Sequence, residues 1–339
     1  MIRKLKAWLF YQRSRVFRAT GLLWLAKRRI AKKGVVVLTL HRILPDDEFA
    51  HTSSLPGIVV RQGTFERFMA WASQKCDIID LGKGAPSWDV SAQRPRIALT
   101  FDDGWLDNHQ ILRTIAVRHS ATATVFVCPG LMGRRVPFWP ERVISLLNRL
   151  PEKSQIHELF DDPRDSDGAD SFQNIIERLK AIAPDARQKC IERLEKLTLG
   201  TTDDCREEPL NCTMTWEQVQ DLQQNGITLG SHTVTHPILT QIPVEAVRDE
   251  LIESRLEIEK RLGAACEMFA YPNGNNNEEV RECAVAAGYS IAFTTEQGCW
   301  TRASELLRVP RINISDQKLT DASGRFSPAM AEYALFWHS

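Results

Sequence analysis

The chain reads as an α/β protein whose core is a parallel sheet, either open or closed into a barrel. Three observations predict this: short apolar or β-branched runs recur, helical stretches separate them, and several of those helices carry start and stop signals. The runs place strands near 35–40 (VVVLTL), 96–101 (RIALTF), 122–128 (TATVFVC), 226–230 (GITLG), 267–271 (EMFAY), 290–295 (SIAFTT) and 308–313 (RVPRIN).

The intervening segments justify themselves in turn. Thr64 is placed to cap a helix running to about Ser73, although Arg67 stands where a capping-box acid would be. Thr215 precedes WEQVQDLQQNG, in which Gln218 completes a capping box and Gly226 is a natural stop. Residues 244–262 form a long amphipathic helix ended by Gly263, and residues 276–287 another ended by Gly288. Residues 129–225, between the third and fourth strands, are too many for one crossover. They read as an insertion, a lid or a partner surface, with helical pieces at 140–150, 172–183 and 186–197 around a solvated acidic loop, 161–170. The expected layout is a basic N-terminal segment (1–34), a body over 35–320 with a helical insertion at about 129–213, and a C-terminal tail (321–339).

Hydrophobic residues make up 43% of the 339 and charged residues 25%, which is ordinary for a soluble globular enzyme and names no function. The zero net charge hides an asymmetry: residues 1–34 hold eleven Lys or Arg and no acid, leaving 32 basic against 43 acidic residues elsewhere. The apolar runs in this segment are shorter than a secretory signal's core, and no stretch is long enough to span a membrane. Ile2, Leu5, Trp8, Leu9, Val16 and Phe17 recur roughly at helical spacing. They fit a helix lying on an anionic membrane surface, or equally a basic helix packed on the body. No nucleic-acid partner is expected. The eight cysteines include no CxxC pair, so free thiols in a reducing compartment are the default. That favours a cytoplasmic protein, peripheral on the inner face of the membrane if the basic helix docks there.

Two short stretches carry chemistry. TFDDG (100–104) puts adjacent carboxylates, Asp102 and Asp103, where a buried strand should end. SHTVTH (231–236) follows another strand and pairs two histidines, His232 and His236, at a spacing that suits one divalent metal. An open catalytic site needs a third ligand, which a carboxylate can be, and the other acid then has work as the base for an attacking water.

With FAYPNG (269–274) as a third stretch in the same order, these residues resemble the polysaccharide deacetylases, the NodB-homology group or carbohydrate esterase family four. The resemblance runs from about residue 35 to 315. It implies a distorted (β/α)7 barrel with a mostly helical insertion, and removal of an acetyl group from a sugar nitrogen or, in some members, oxygen. Carried over by position, it makes Asp102 the general base and Asp103, His232 and His236 the ligands of a divalent ion, zinc first, with cobalt, nickel or manganese as alternatives. It also puts Tyr271, Pro272 and Asn273 along the substrate groove, with the Asn273 N–H meeting the oxyanion.

Two departures from the pattern matter. Ala270 stands where the family has an arginine that orients the catalytic acid, and Arg311 is the expected substitute. The family's late Leu-x-His motif is missing, and His338 is poorly placed to replace it. His41, ending the first strand in TLHRI, resembles the acid of the branch that includes biofilm poly-N-acetylglucosamine deacetylases; which acid holds its other nitrogen is open, Glu296 being one guess. Trp105 is expected in the groove, with Trp300 a weaker candidate, while Phe138 and Trp139 either stack on sugar or anchor the insertion. The expected activity is metal-dependent N-deacetylation of an N-acetylated glycan or lipid-linked sugar in a bacterial surface-glycan pathway. The alternatives are a deformylase or amidase on the same scaffold, and a non-catalytic glycan-binding module.

Overall fold

A computed structural model of the chain describes residues 2–88, 92–135, 138–150, 156, 171–198 and 210–337. The acidic loop 161–170, Cys205 and His338 lie outside the described residues.

Seven parallel strands make the core: β1 (Gly34–Leu40), β2 (Arg96–Phe101), β3 (Thr124–Val127), β4 (Thr228–Ser231), β5 (Met268–Ala270), β6 (Ile291–Phe293) and β7 (Ile312–Asn313). They are ordered β7-β1-β2-β3-β4-β5-β6. The segment 309–313 closes the ring. Val309 pairs with Phe293 of β6, exchanging bonds with Thr294 and Ala292, and Ile312 two residues past Pro310 and Arg311 pairs with Leu38 of β1. The result is the distorted (β/α)7 barrel, with its seam between β6 and β1.

Alternation along the strands sorts inside from outside. Val35, Val37, Ala98, Phe126, Met268, Ala270, Ile291 and Phe293 fill the lumen. Val36, Leu38, Leu40, Ile97, Leu99 and Phe101 face outward under the helices. Continuing the inward series along two strands gives 35, 37, 39, 41 and 98, 100, 102, so His41 and Asp102 stand on top of the lumen. Gly230 is required by this packing, because a Cβ there would lie 2.5 Å from the Phe126 ring.

Helices cover the outer face: α1 (Ile2–Ala19), α2 (Leu22–Lys33), α3 (Gln62–Lys75), α4 (Trp139–Arg149), α5 (Phe172–Ala181), α6 (Pro184–Leu197), α7 (Trp216–Gln224), α8 (Val244–Leu262), α9 (Glu278–Ala286) and α10 (Pro328–Phe336). The capping box of α7 has both of its bonds, Thr215 with Gln218, and Gly263 ends α8 at φ 65°. Thr64 is not a cap. Helix α3 begins two residues earlier, after Arg61, and Thr64 is buried in its first turn. In the insertion, α4, α5 and α6 share a small core of Val143, Ile144, Leu147, Ile175, Leu179 and Ile191. Cys76, Cys128, Cys266, Cys283 and Cys299 are free thiols.

The C-terminal residues are not a tail. In α10, Met330, Ala331, Leu335 and Phe336 are buried, and its other face meets the N-terminal helices. Phe10 and Phe17 meet the Tyr333 ring edge-on at 4.9 and 5.4 Å, and Lys27 pairs with Glu332 at 2.7 Å. Residues 2–33 form two helices broken at Gly21, whose φ of 78° suits glycine, and not one continuous helix. Phe336→Ala is expected to destabilise the fold by about 3 to 5 kcal/mol, read as a lower denaturant midpoint; an unchanged midpoint would show the C-terminal helix to be dispensable.

Candidate active site

The two acids of TFDDG reach one site because the chain turns left-handed between them. Asp102 continues the ladder, its N–H donating to Leu40 O at 3.0 Å, and then Asp103 and Gly104 take φ of 77° and 71°. An L-residue adopts such a φ only where its surroundings enforce it. At Gly104 a Cβ would also come within 3.0 Å of Met132 and 3.1 Å of Val127, so the turn is confined to glycine.

SHTVTH is a tight loop after β4 and not a helical turn. Thr233 and His236 take φ of 67° and 62°, and Thr233 Oγ1 accepts from the His236 N–H at 3.0 Å. Glu250 of α8 accepts from the Val234 and Thr235 N–H groups at 2.7 and 2.9 Å, anchoring the loop between the two histidines.

These turns bring Asp103, His232 and His236 together. Asp103 Oδ1 lies 3.5 Å from His232 Nε2 and 3.4 Å from His236 Nε2, and the three donor atoms lie within 4.8 Å of one another. Two atoms each about 2.1 Å from a shared tetrahedral ion stand about 3.4 Å apart, so the cluster has the span of a zinc-type site. Protonation also fits. His232 Nδ1 is 2.7 Å from Ala270 O, which can only accept, so Nδ1 carries a proton and Nε2 is the nitrogen turned to the cluster; burial lowers the imidazole's pKa, but the bond to Asp103 and the charges of Asp102 and Asp103 raise it on balance. Burial, helped by the neighbouring His232, pushes His236 down to about 4, leaving the neutral imidazole that coordinates metals. Burial works against ionising Asp103, but the facing His232, His41 and His236 imidazoles outweigh it and hold the carboxyl well below the usual range. Its second oxygen accepts from Trp105 Nε1 at 3.0 Å.

Asp102 is kept apart from this cluster by a different cation. Arg311 grips it bidentately, Nη1 to Oδ1 at 2.8 Å and Nη2 to Oδ2 at 2.7 Å, and also donates to Thr100 Oγ1 and Thr294 O at 2.9 and 3.0 Å. Both residues are buried. Burial would neutralise the acid, yet Arg311 overrides it and lowers the pKa.

His41 lines the same cleft of about 470 Å³ as Asp102, Asp103, His232, His236 and Asn273. Its backbone is clamped: Asn108 Nδ2 donates to His41 O at 2.7 Å, and Asp107 Oδ1 accepts from the N–H of Ile43, two residues on, at 2.9 Å. Its Nδ1 is buried and makes no hydrogen bond, so neither Glu296 nor any other described acid holds it. Glu296 instead pairs with Arg308 at 2.7 Å.

Tyr271 lines the cleft, its hydroxyl donating to Leu307 O at 2.9 Å, and Pro272 is buried beside it. Phe138 and Trp139 line the cleft too, Phe138 with its edge to His236 at 5.1 Å. Trp105 does not reach the groove. It is fully buried, with the Arg42 guanidinium 4.3 Å over one face, and it serves Asp103 from behind. Trp300 is also fully buried, at the far end of the barrel, where it pairs with Val35.

A family model described as polysaccharide deacetylase matches residues 89–292, more than half of the chain. The chain belongs to the polysaccharide deacetylase family. Among curated proteins it is similar to a putative polysaccharide deacetylase, YxkH, of Bacillus subtilis, at 27% identity over 117 residues; the match spans 34% of this chain and 42% of the relative. Among solved structures, the deacetylase PplD of Streptococcus pyogenes, in complex with acetate, superposes with a TM-score of 0.54 at 18% identity, over 83% of this chain and 92% of the other. IcaB from Ammonifex degensii superposes with a TM-score of 0.54 at 15% identity, over 91% and 98%. At these identities the superpositions speak for the barrel fold.

The deacetylase family match excludes both His41 and Arg311, whose places rest on the geometry above. Sequence reasoning missed Arg42, Asp107 and Asn108. Arg42 and Asp107 form a fully buried ion pair at 3.1 Å, and the polar run DNHQ (107–110), two residues after TFDDG, was the available signal. Asp103→Ala is expected to abolish zinc binding by calorimetry, and Trp105→Phe, which removes the donor to Asp103, to weaken it about tenfold. Equal affinity in Trp105→Phe would sink the supporting role given to the indole.

Proposed function

We propose that the protein is a metal-dependent N-deacetylase acting on an N-acetylated sugar of a bacterial surface-glycan or lipid-linked glycan pathway. The observation that carries this reading is the separation of two adjacent carboxylates into different jobs, Asp103 facing two imidazoles and Asp102 facing Arg311.

Asp103, His232 and His236 would hold the divalent ion, zinc being the first candidate from the two-nitrogen, one-oxygen donor set. When bound, the ion supplies a Lewis acid toward water and the acyl oxygen. Asp102 accepts the proton of the attacking water, and Arg311 keeps it ionised and aimed. The backbone N–H of Asn273, held at φ 57° on the cleft, meets the developing oxyanion. His41 protonates the departing nitrogen. Burial lowers its pKa, Arg311 and His232 also disfavour its charge, and Asp103 and Asp102 favour it. The imidazole therefore rests neutral at neutral pH, takes up a proton from solvent as negative charge builds on the substrate, and passes it to the nitrogen as the C–N bond breaks.

The N-terminal helices support contact with an anionic membrane, on the inner face of a bacterial cell. On α1, Trp8, Leu9 and Val16 are exposed, as are Arg13 and Arg15; on α2, Leu22, Trp24 and Leu25 are exposed, as are Arg28 and Lys32. That apolar surface rimmed with basic residues suits an acidic headgroup layer. Among the described residues no helix is long and apolar enough to cross a membrane.

Acetate should be released from N-acetylated oligosaccharides or lipid-linked sugars, and a chelator should stop it; formate release instead would favour a deformylase. Asp102→Asn should keep the metal and lose at least about a hundredfold in kcat, as should His41→Ala. Full turnover in His41→Ala would remove the histidine from the acid role. Trp24→Glu with Leu25→Glu should abolish flotation with phosphatidylglycerol vesicles while leaving acetate release intact, and undiminished flotation would overturn the membrane contact.

A further inference from the structure

The insertion forms one wall of the cleft, through Phe138, Trp139 and Glu141 at the start of α4 and Ile176, Glu177 and Lys180 of α5. It is fastened to the loop beyond His236 by Gln241, whose Nε2 donates to Lys180 O at 2.6 Å and whose Oε1 accepts from Arg187 at 3.1 Å. This wall therefore stands in a set position relative to the site.

Glu141 is the unexplained member of that wall. It is 4% exposed, yet it lines the cleft. Among the described residues only its own N–H offers it a hydrogen bond. Lys180, the cation lining the same wall, is paired with Glu177 at 2.9 Å, and Arg42, whose charge also reaches Glu141, is paired with Asp107. Burial, reinforced by the charge on Asp103, pushes the Glu141 carboxyl up to about 7, as expected for an acid with no bonded cation. Glu141 lies in the first turn of α4, where a carboxylate suits the helix N-terminus, but no side chain among the described residues bonds it, and Val143, Ile144 and Leu147 build the insertion's core without it. The carboxyl is thus left to bond what enters the cleft, water or a ligand.

We propose that Glu141 is a substrate-binding residue, accepting a hydrogen bond from a ring hydroxyl of the sugar whose acetamido group meets Asp102 and Asp103. The inference rests on the deacetylase reading and adds a specificity contact supplied by the insertion. A site built to bond a hydroxyl discriminates strongly against a substrate lacking it, since the buried acceptor is then left unpaired.

The zinc-loaded full chain is assayed for acetate release from an N-acetylglucosamine tetramer and from 4-nitrophenyl acetate, which has no sugar hydroxyl. Glu141→Ala should raise KM for the tetramer at least about tenfold with kcat within about twofold, and should leave the ester reaction unchanged. Glu141→Gln, which keeps an acceptor oxygen, should restore most of the tetramer affinity. An unchanged tetramer KM in Glu141→Ala, an equal loss on the ester, or Glu141→Gln as impaired as Glu141→Ala each overturns the inference and leaves the deacetylase reading standing. A wild-type chain that cleaves the ester and not the tetramer overturns the sugar contact as stated, and one that cleaves neither overturns the deacetylase reading with it.

Discussion

The buried pair between Arg311 and Asp102 is the interaction on which the rest of the site depends. Two adjacent carboxylates in a dry lumen cannot both stay ionised without compensation, because each repels the other and both have lost their water. Arg311 supplies one positive charge, delivered through two bonds to Asp102 and two more to Thr100 and Thr294. The guanidinium also sits near the faces of Phe126 and Phe293, at 5.8 and 5.9 Å, in the layer directly below the cleft. Asp103 is then left to the imidazoles. Each acid has its own cationic or metal-ready partner, and the division of roles follows from which partner it faces.

That pair also belongs to the closure of the barrel. Arg311 lies between Val309, bonded to β6, and Ile312, bonded to β1, so the residue that orients Asp102 is carried by the segment that shuts the seam. Folding of the ring and organisation of the site are therefore one event. Removing the guanidinium would leave a buried carboxylate without its partner beside a strand of only two residues, Ile312–Asn313. A loss of turnover there has to be separated from a loss of fold, which the metal site, held by other strands, makes feasible.

The strands and the long helices were legible because their signals are local. RIALTF is a strand from Arg96 to Phe101 as read, the Thr215–Gln218 box has both bonds, and Gly263 stops α8. Errors arose where a distant partner decides the outcome. Thr64 has cap chemistry, but packing of Phe65 and Phe68 pulls the helix start back to Gln62 and buries the hydroxyl. Residues 321–339 look like a tail because the apolar partners of α10 are more than 290 residues away in α1 and α2. Trp105 follows the catalytic stretch and was assigned to the groove on that adjacency. The left-handed turn at Asp103 and Gly104 reverses the chain, so the indole ends up behind the carboxylate, stacked on a buried arginine. No pattern in a single strand announces such a reversal.

The replacement of the arginine expected at position 270 has a geometric explanation. Inward side chains of one layer converge on the barrel axis, so a given carboxylate can be reached from several strands, and what matters is the layer. Ala270 on β5 and Arg311 beside β7 both open onto the lumen layer that holds Thr100. Position 270 carries only a methyl group into the lumen, and its carbonyl accepts a hydrogen bond from His232 Nδ1. The cation moves to the seam, where the bonds of Val309 and that of the Arg311 N–H to Glu296 O hold its backbone against β6 and the residues that follow it. His41 comes from β1, the other strand flanking that seam, through the pairing of Leu38 with Ile312 and Thr39 with Asn313. The two groups that lie outside the family match are thus neighbours across one strand boundary, and the same pairing that closes the barrel sets their spacing.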